Sequence, residues 1–386
     1  MTALPIQNWR YEAGPIRPPS EACSLLVRLT RNCPWGRCRF CISYRGAAFE
    51  ARSLEDVRSD IDAMAEIARF LLEESWRIGT GGRITHEVLN AAAEAGLPTQ
   101  YSYQVALFLS AAGQSAFLTD ADSLSLPVGD VEAALKHLYS RFPSLRRVTT
   151  YARSMTLCKL GAENLRRLRE AGLTRVHVGM ESGSDAVLKE VRKGVLAKHH
   201  IAAGRAAMEA GLELSEYIMP GLGGRERSAE HAGETARVLN AINPQFIRLR
   251  TFTPLPGSAL EEELAEGGFT PLDEDGVVAE IRAMIAALDG ISSQVVSDHD
   301  WNLLMEVEGR IPDDKPAMLS LLDAYLSLSS ENRQLFRVGR RLGILHFLAD
   351  LQRPPARRAA EEAAEDLKRR FGDAEAGLRA VAPFRM

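Results

Sequence analysis

The stretch RNCPWGRCRFC, residues 31–41, sets three cysteines at C-x4-C-x2-C spacing directly after a β-rich run, LLVRLT (25–30). Thiols this close along the chain cannot be shared out among separate core positions. Pro34 and Gly36 supply the bends that let such a segment wrap one centre. Structural zinc normally takes four ligands, and neither a fourth Cys nor a His lies close enough to complete a ribbon. Three thiolates on a four-iron cluster leave one iron without a protein ligand, and an open iron is a place where a further molecule binds. The two remaining cysteines, Cys23 and Cys158, stand outside the loop and read as small buried hydrophobes.

Outward from this loop, short β-rich runs alternate with amphipathic helical ones, the pattern of βαβ units and a parallel sheet. Six strands are expected, at 25–30, 116–119, 146–151, 174–179, 212–219 and 246–251. Helices fit between them at about 53–73, 129–141, 162–171, 184–191 with 197–210, 228–241 and 273–288. Gly172 and Gly211 sit where a helix hands over to a strand, as C′ glycines do. Residues 74–115 break the rhythm with two more helical stretches, about 85–95 and 103–111. Beyond Leu288, a short run at 293–297 leads into SDHDWN (297–302) and a helical tail. The expected organisation is an N-terminal extension over 1–24, a strand-and-helix body over 25–290, and a mostly helical extension over 291–386.

Composition limits the partners. The 386 residues are 46% hydrophobic and 25% charged, which is ordinary globular usage. The 47 Lys and Arg against 51 Asp and Glu give −4, so no global basic field exists to hold a phosphate backbone, and nucleic acid is an unfavoured partner. No apolar stretch has the ~18–20 residues of a membrane span, and the N-terminal residues lack the apolar core of a signal peptide. Three clustered cysteines in a long chain also do not read as a disulfide scaffold. The expected setting is cytoplasmic, with no membrane partner.

A three-cysteine loop after strand one of a six-strand β/α series resembles the radical S-adenosylmethionine superfamily. The tract CPWGRCRFC followed by ISYRGAAFEARSLEDV is similar to a generically annotated single-cluster branch whose first gap has four residues, where C-x3-C-x2-C is commoner. The resemblance covers about residues 25–340. It implies an α/β fold: a partial (β/α)6 barrel with a helical insertion after the first helix and a helical C-terminal extension. It also implies that Cys33, Cys38 and Cys41 hold one [4Fe-4S] cluster, whose open iron chelates S-adenosyl-L-methionine. In FLTDADSL (117–124), Asp122 stands at the position that receives the cofactor's amino group, with Asp120 as the other carboxylate; alone, the pair reads as a turn or a divalent-ion site. GMESGSDAVLKEVRKG (179–194) resembles the tract that contacts the ribose through Glu181, beside Ser182, and reaches the methionine carboxylate through Lys193 or Arg192. Read alone, Glu181-Ser182 is a helix N-cap arrangement. Gly221 in MPGLGG (219–224) allows close approach to adenosine, and Phe40 resembles the aromatic whose backbone meets adenine.

The chemistry implied is reductive cleavage of S-adenosylmethionine by an electron from an external donor such as flavodoxin or ferredoxin. The resulting 5′-deoxyadenosyl radical then abstracts hydrogen from a small-molecule substrate, with water and oxygen excluded. Two spare cysteines are too few for a second cluster, and no Asp-x-His-x-x-Gly cobalamin signature is present. Arg248 and Arg250 share one face of the last strand by the period-two rule. If that face is the lumen they form a clamp for an anionic substrate, with Glu216 as their partner in the empty state; if it faces outward they are surface charges. His299 is placed at the rim as a proton donor or substrate ligand, or lies in a solvated turn. Two alternatives stand beside this reading: an RNA-modifying enzyme of the same superfamily, and an iron-sulfur electron-transfer protein without S-adenosylmethionine chemistry.

Overall fold

The computed structural model describes residues 9–15 and 17–381. The fold is α/β, a mostly parallel sheet with surrounding helices and a helical C-terminal part, as in a partial (β/α) barrel. The chain divides into two compact units that interleave along the sequence. The first holds the described residues up to Gly36, then 46–178 and 206–213; the second holds 37–45, 179–205 and the described residues from Leu214 onward.

The first unit runs β1 (Leu25–Arg28), β2 (Thr30–Arg31), β3 (Glu50–Ala51), α1 (Leu54–Arg77), α2 (His86–Glu94), α3 (Thr99–Ser110), β4 (Ser115–Thr119), α4 (Val128–Arg141), β5 (Arg147–Ala152), α5 (Ser154–Glu170) and most of β6 (Arg175–Glu181). β1 pairs with β4, β4 with β5, and β5 with β6, all parallel, in the registers Leu25↔Ala116, Ala116↔Val148 and Thr150↔Val176. These strands are buried nearly throughout, which is why they read as apolar runs. α1 starts where the Ser53 side chain accepts the Asp56 N–H, with Glu55 and Asp56 complementing the helix dipole. Its buried stripe, Val57, Ile61, Met64 and Leu71, packs against α2, α3 and α4. The two extra helices of 74–115 are therefore α2 and α3. α5 begins eight residues before the expected start, with a break at Gly161 (φ 68°, ψ 171°) that hides its first turns from a periodicity reading.

The second unit continues with α6 (Asp185–Glu190), α7 (Ala197–Glu209), β7 (Glu213–Ile218), α8 (Gly224–Ile242), β8 (Phe246–Leu249), α9 (Ala259–Ala265), α10 (Glu274–Ala287), β9 (Gln294–Val296), β10 (Gly309–Arg310), α11 (Lys315–Leu326), α12 (Ser330–Arg341), α13 (Pro354–Phe371) and α14 (Ala374–Val381). The last residues of α7 and the first of β7 belong to the first unit. β7 pairs parallel with β8, β8 parallel with β9, and β9 antiparallel with β10. α6 is capped by Ser184, whose side chain accepts the Val187 N–H, rather than by Glu181-Ser182 as the sequence suggests; Ser182 instead accepts the Ser184 N–H. α9 falls outside the sequence expectation because only seven residues form it. Its Leu260 closes an apolar cluster with Val187, Val191, Leu222, Phe252 and Phe269, against which Phe40 and Met219 pack.

Three strands are shorter than expected, β1, β7 and β8. β8 ends at Leu249; there the Asn302 side chain takes the Leu249 carbonyl (2.8 Å) and accepts the Thr251 N–H (2.9 Å), while the Arg250 N–H still bonds the Ile218 carbonyl (2.9 Å). Among the described residues no helix is long and apolar enough to cross a membrane.

Gly183 offers a test of the packing under this frame. A Cβ there would collide with the Glu234 carbonyl oxygen and come within 2.6 Å of the Thr235 Cα, both rigid backbone of α8. Gly183→Ala is expected to cost about 1–3 kcal/mol as overpacking and to lower the melting temperature by several degrees, read by thermal unfolding.

Candidate functional site

In the first unit, β2 delivers the chain to Asn32, which takes a left-handed backbone (φ 68°) and donates from its side chain to the Ala48 carbonyl (2.6 Å). Cys33 follows immediately. β2 pairs antiparallel with β3, Thr30↔Ala51 and Arg31↔Glu50, and this clasps the two ends of the loop region. Trp35, two residues past Cys33, carries the Arg153 guanidinium over its ring at 5.3 Å. Asp120 and Asp122 follow β4, and both are fully buried. Asp120 (φ 72°) accepts Arg28 Nε at 2.5 Å. Asp122 accepts the Arg153 N–H (3.3 Å) and the Thr156 hydroxyl (2.5 Å) at the start of α5. Burial pushes the Asp122 carboxyl up to about 6 against the opposing pull of those two donors.

In the second unit, the segment carrying Cys38 and Cys41 is pinned through the residue between them. The Arg39 N–H donates to the Val191 carbonyl (2.9 Å), the Arg39 carbonyl accepts the Leu260 N–H (3.2 Å), and its guanidinium pairs with Glu263. The Cys41 N–H turns back on the Cys38 carbonyl (3.2 Å). Lys193 lies over the Phe40 ring at 5.6 Å and donates to Glu181 Oε1 at 2.9 Å, so two groups expected to contact different parts of one ligand hold each other here. Glu181 ends β6 with φ 63°, a conformation costing a non-glycine residue about 1–3 kcal/mol. Its carbonyl accepts the Met219 N–H (2.9 Å) and faces His231 Nε2 (3.2 Å). Gly221 also has positive φ (88°) and donates to Glu280 Oε1 at 2.7 Å.

The substrate residues are arranged differently from the expectation. Arg250 lies just beyond the bounds of β8 and is exposed, while its N–H still bonds the Ile218 carbonyl at the end of β7 (2.9 Å). Arg248 is buried, bonded to Asp298 (2.6 Å) and Ser215 (3.2 Å). Glu216 is therefore not needed as its partner. The Glu216 side chain is 1% exposed, its Oε2 has no hydrogen-bond partner, and burial holds its carboxyl well above the carboxylate range, with Glu181 adding to the shift and Lys193 opposing it. Burial, then Arg250, lowers the His299 ring to about 4, and its Nδ1 accepts the Trp301 N–H (3.3 Å). Cys23 is exposed and Cys158 half-buried, where the sequence suggests buried hydrophobes.

Sequence reasoning also missed His231 and Glu280, which sit inside α8 and α10. The available signal was a His on the apolar face of α8, in line with Thr235, Val238 and Ile242. Among the described residues no three His, Cys, Asp or Glu side chains gather closely enough to hold a metal ion, and none of the five cysteines is in a disulfide. The donor chemistry nonetheless suits an iron-sulfur cluster: Cys33, Cys38 and Cys41 are partly accessible thiols on one nine-residue stretch.

A family model described as the Radical SAM superfamily matches residues 27–236, more than half of the chain. No curated protein matches the sequence. Among solved structures, methylornithine synthase (PylB) aligns with a TM-score of 0.42 at 15% identity, covering 77% of this chain and 68% of that one. Coproporphyrinogen III oxidase (HemN) from Escherichia coli gives 0.42 at 15%, with 69% and 52% covered. The archaeal Methanocaldococcus infernus Elp3 with an N-terminal deletion gives 0.39 at 15%, with 55% and 51% covered. The aligned part thus spans about half the length of the HemN and Elp3 chains.

The Asp122 shift carries a measurable consequence. The folded chain keeps the Asp122 proton up to about pH 6, whereas the unfolded chain loses it near 3.8, so folding binds a proton between these values and stability falls as pH rises through them. The contribution is on the order of 3 kcal/mol. Denaturant midpoints at pH 4 and pH 7 are expected to differ less in Asp122→Asn than in the parent.

Proposed function

The chain belongs to the radical SAM superfamily, and on that premise we propose that it is a single-cluster radical enzyme acting on a small-molecule substrate with electrons from an external donor. The observation that carries the reading is the three-cysteine loop at 33–41, inside the matched span and directly after the first parallel strand. When bound, the [4Fe-4S] cluster and S-adenosylmethionine together supply a one-electron reductive cleavage and a carbon-centred radical for hydrogen abstraction.

The chain's own residues divide the remaining tasks. Cys33, Cys38 and Cys41 hold the cluster. Asp120 and Asp122 provide the carboxylates for the cofactor's amino group, Asp122 being the expected contact and Asp120 the one already tied to Arg28. Glu181 accepts ribose hydroxyls and Lys193 reaches the methionine carboxylate, so cofactor binding separates the 2.9 Å pair they now make. Gly221 lets the backbone approach the adenosine, the Phe40 backbone meets adenine, and Ser182 shapes the turn by accepting the Ser184 N–H. Glu216, whose carboxyl burial raises well above its ordinary value, has a carboxyl oxygen without a partner that is available to a bound molecule. The substrate's charge is left open by Arg248, because Asp298 already neutralises it.

Anaerobic reconstitution is expected to load about 4 irons per chain, and each of Cys33→Ala, Cys38→Ala and Cys41→Ala to abolish that load, while Cys23→Ala and Cys158→Ala keep it. Reduced, loaded protein mixed with S-adenosylmethionine is expected to release 5′-deoxyadenosine. A full cluster in any of the three loop variants would sink the ligand assignment, and absence of the nucleoside would point to electron transfer alone.

A further inference from the structure

Two backbone segments proposed above to meet S-adenosylmethionine, the end of β6 at Glu181 and the turn after β7 at Gly221, both run through the left-handed region. One buried pair of side chains is attached to both. His231, on α8, presents Nε2 to the Glu181 carbonyl at 3.2 Å; a carbonyl only accepts, so Nε2 carries the hydrogen. Its other nitrogen, Nδ1, lies 2.9 Å from Glu280 Oε1 on α10, and that same oxygen accepts the Gly221 N–H at 2.7 Å. The remaining carboxyl oxygen accepts the Ser228 hydroxyl at 2.6 Å, from a residue one turn before His231 on the same face of α8. Both side chains are fully buried, and α8 packs along α10.

A pair buried merely to join two helices would end on those helices. This one ends on backbone at the two turns: Nε2 meets the Glu181 carbonyl, which also accepts the Met219 N–H, and Glu280 Oε1 accepts the Gly221 N–H. A satisfied polar network of this kind restricts a site to one geometry more sharply than apolar packing does. We propose that His231 and Glu280 are positioning residues that hold the Glu181 carbonyl and the Gly221 amide in one fixed relation, so that the Glu181 carboxylate and the 219–223 backbone meet S-adenosylmethionine together. The inference rests on the functional reading above. Neither residue touches the cofactor; both act through the backbone they hold.

The test uses the full chain loaded with its cluster, with S-adenosylmethionine as the probe. His231→Ala and Glu280→Ala are expected to raise both the calorimetric Kd for S-adenosylmethionine and the KM for uncoupled 5′-deoxyadenosine formation by about tenfold or more, with kcat within about threefold. Iron content is expected to stay at the parental level, and amide exchange at Gly221 to speed up in Glu280→Ala. Glu280→Gln, which keeps a carbonyl acceptor for Gly221, is expected to recover most of the affinity. Should Glu280→Ala fail to fold, His231→Gln is the second variant; it is too short to reach both ends and should show the same KM effect. Unchanged Kd and KM in a folded variant that breaks the pair overturn the proposal, as does a fall in kcat with KM unchanged. A parent chain that does not bind S-adenosylmethionine at all overturns the functional reading, and the inference with it, before any substitution is made.

Discussion

Among the described residues, three strand exits turn through left-handed backbone at residues that are not glycine: Asn32 after β2, Asp120 after β4 and Glu181 at the end of β6. Each costs on the order of 1–3 kcal/mol and persists only where its surroundings over-determine it. The compensation is local in each case. Asn32 bonds the Ala48 carbonyl, Asp120 holds Arg28, and Glu181 is held by Met219, His231 and Lys193. A left-handed residue turns the chain sharply out of its strand, and a polar side chain at that point stays beside the strand end. The cysteine loop and the carboxylates assigned to the cofactor all follow from such turns.

The charges in the same region are matched before any ligand arrives. Lys193 is spent on Glu181 and Arg248 on Asp298, and burial raises the Glu216 carboxyl well above its ordinary value, which favours its uncharged form. Buried charges of this kind are not independent of one another, and the shift at Glu216 is itself set partly by Glu181 and Lys193. A molecule that takes over one member of the Glu181–Lys193 pair therefore alters the electrostatics of Glu216 as well. The polar residues contribute less as a permanent framework than as an arrangement that one ligand rearranges.

Helix packing sets the rest of the frame. α8 and α10 pack against each other along their apolar faces, and across that packing α8 contributes buried His231 and α10 buried Glu280. Replacing such a pair with hydrophobic residues of similar size would often be neutral for stability. Its hydrogen bonds to the Glu181 carbonyl and from the Gly221 N–H tie helix packing directly to the backbone at the strand ends.

The sequence by itself determined the parallel α/β class, the order of strands and helices, and the cysteine loop after strand one. Each of these is written in local periodicity or in spacing along the chain, which tertiary contacts did not override. Its limits fell where a partner distant in sequence decides the outcome. Asn302, more than fifty residues along, bonds the Leu249 carbonyl and the Thr251 N–H at the end of β8, and Asp298 rather than Glu216 pairs with Arg248. Gly161 breaks the helical period at the start of α5, and seven residues are too few for α9 to announce itself. The pairings Arg248 with Asp298, Asp122 with Thr156, and His231 with Glu280 lie 50, 34 and 49 residues apart. Residue type nominated Arg248 and Asp122 but not His231 or Glu280, and only the folded chain, by bringing the ends of different strands and helices within hydrogen-bond reach, chose which side chains meet.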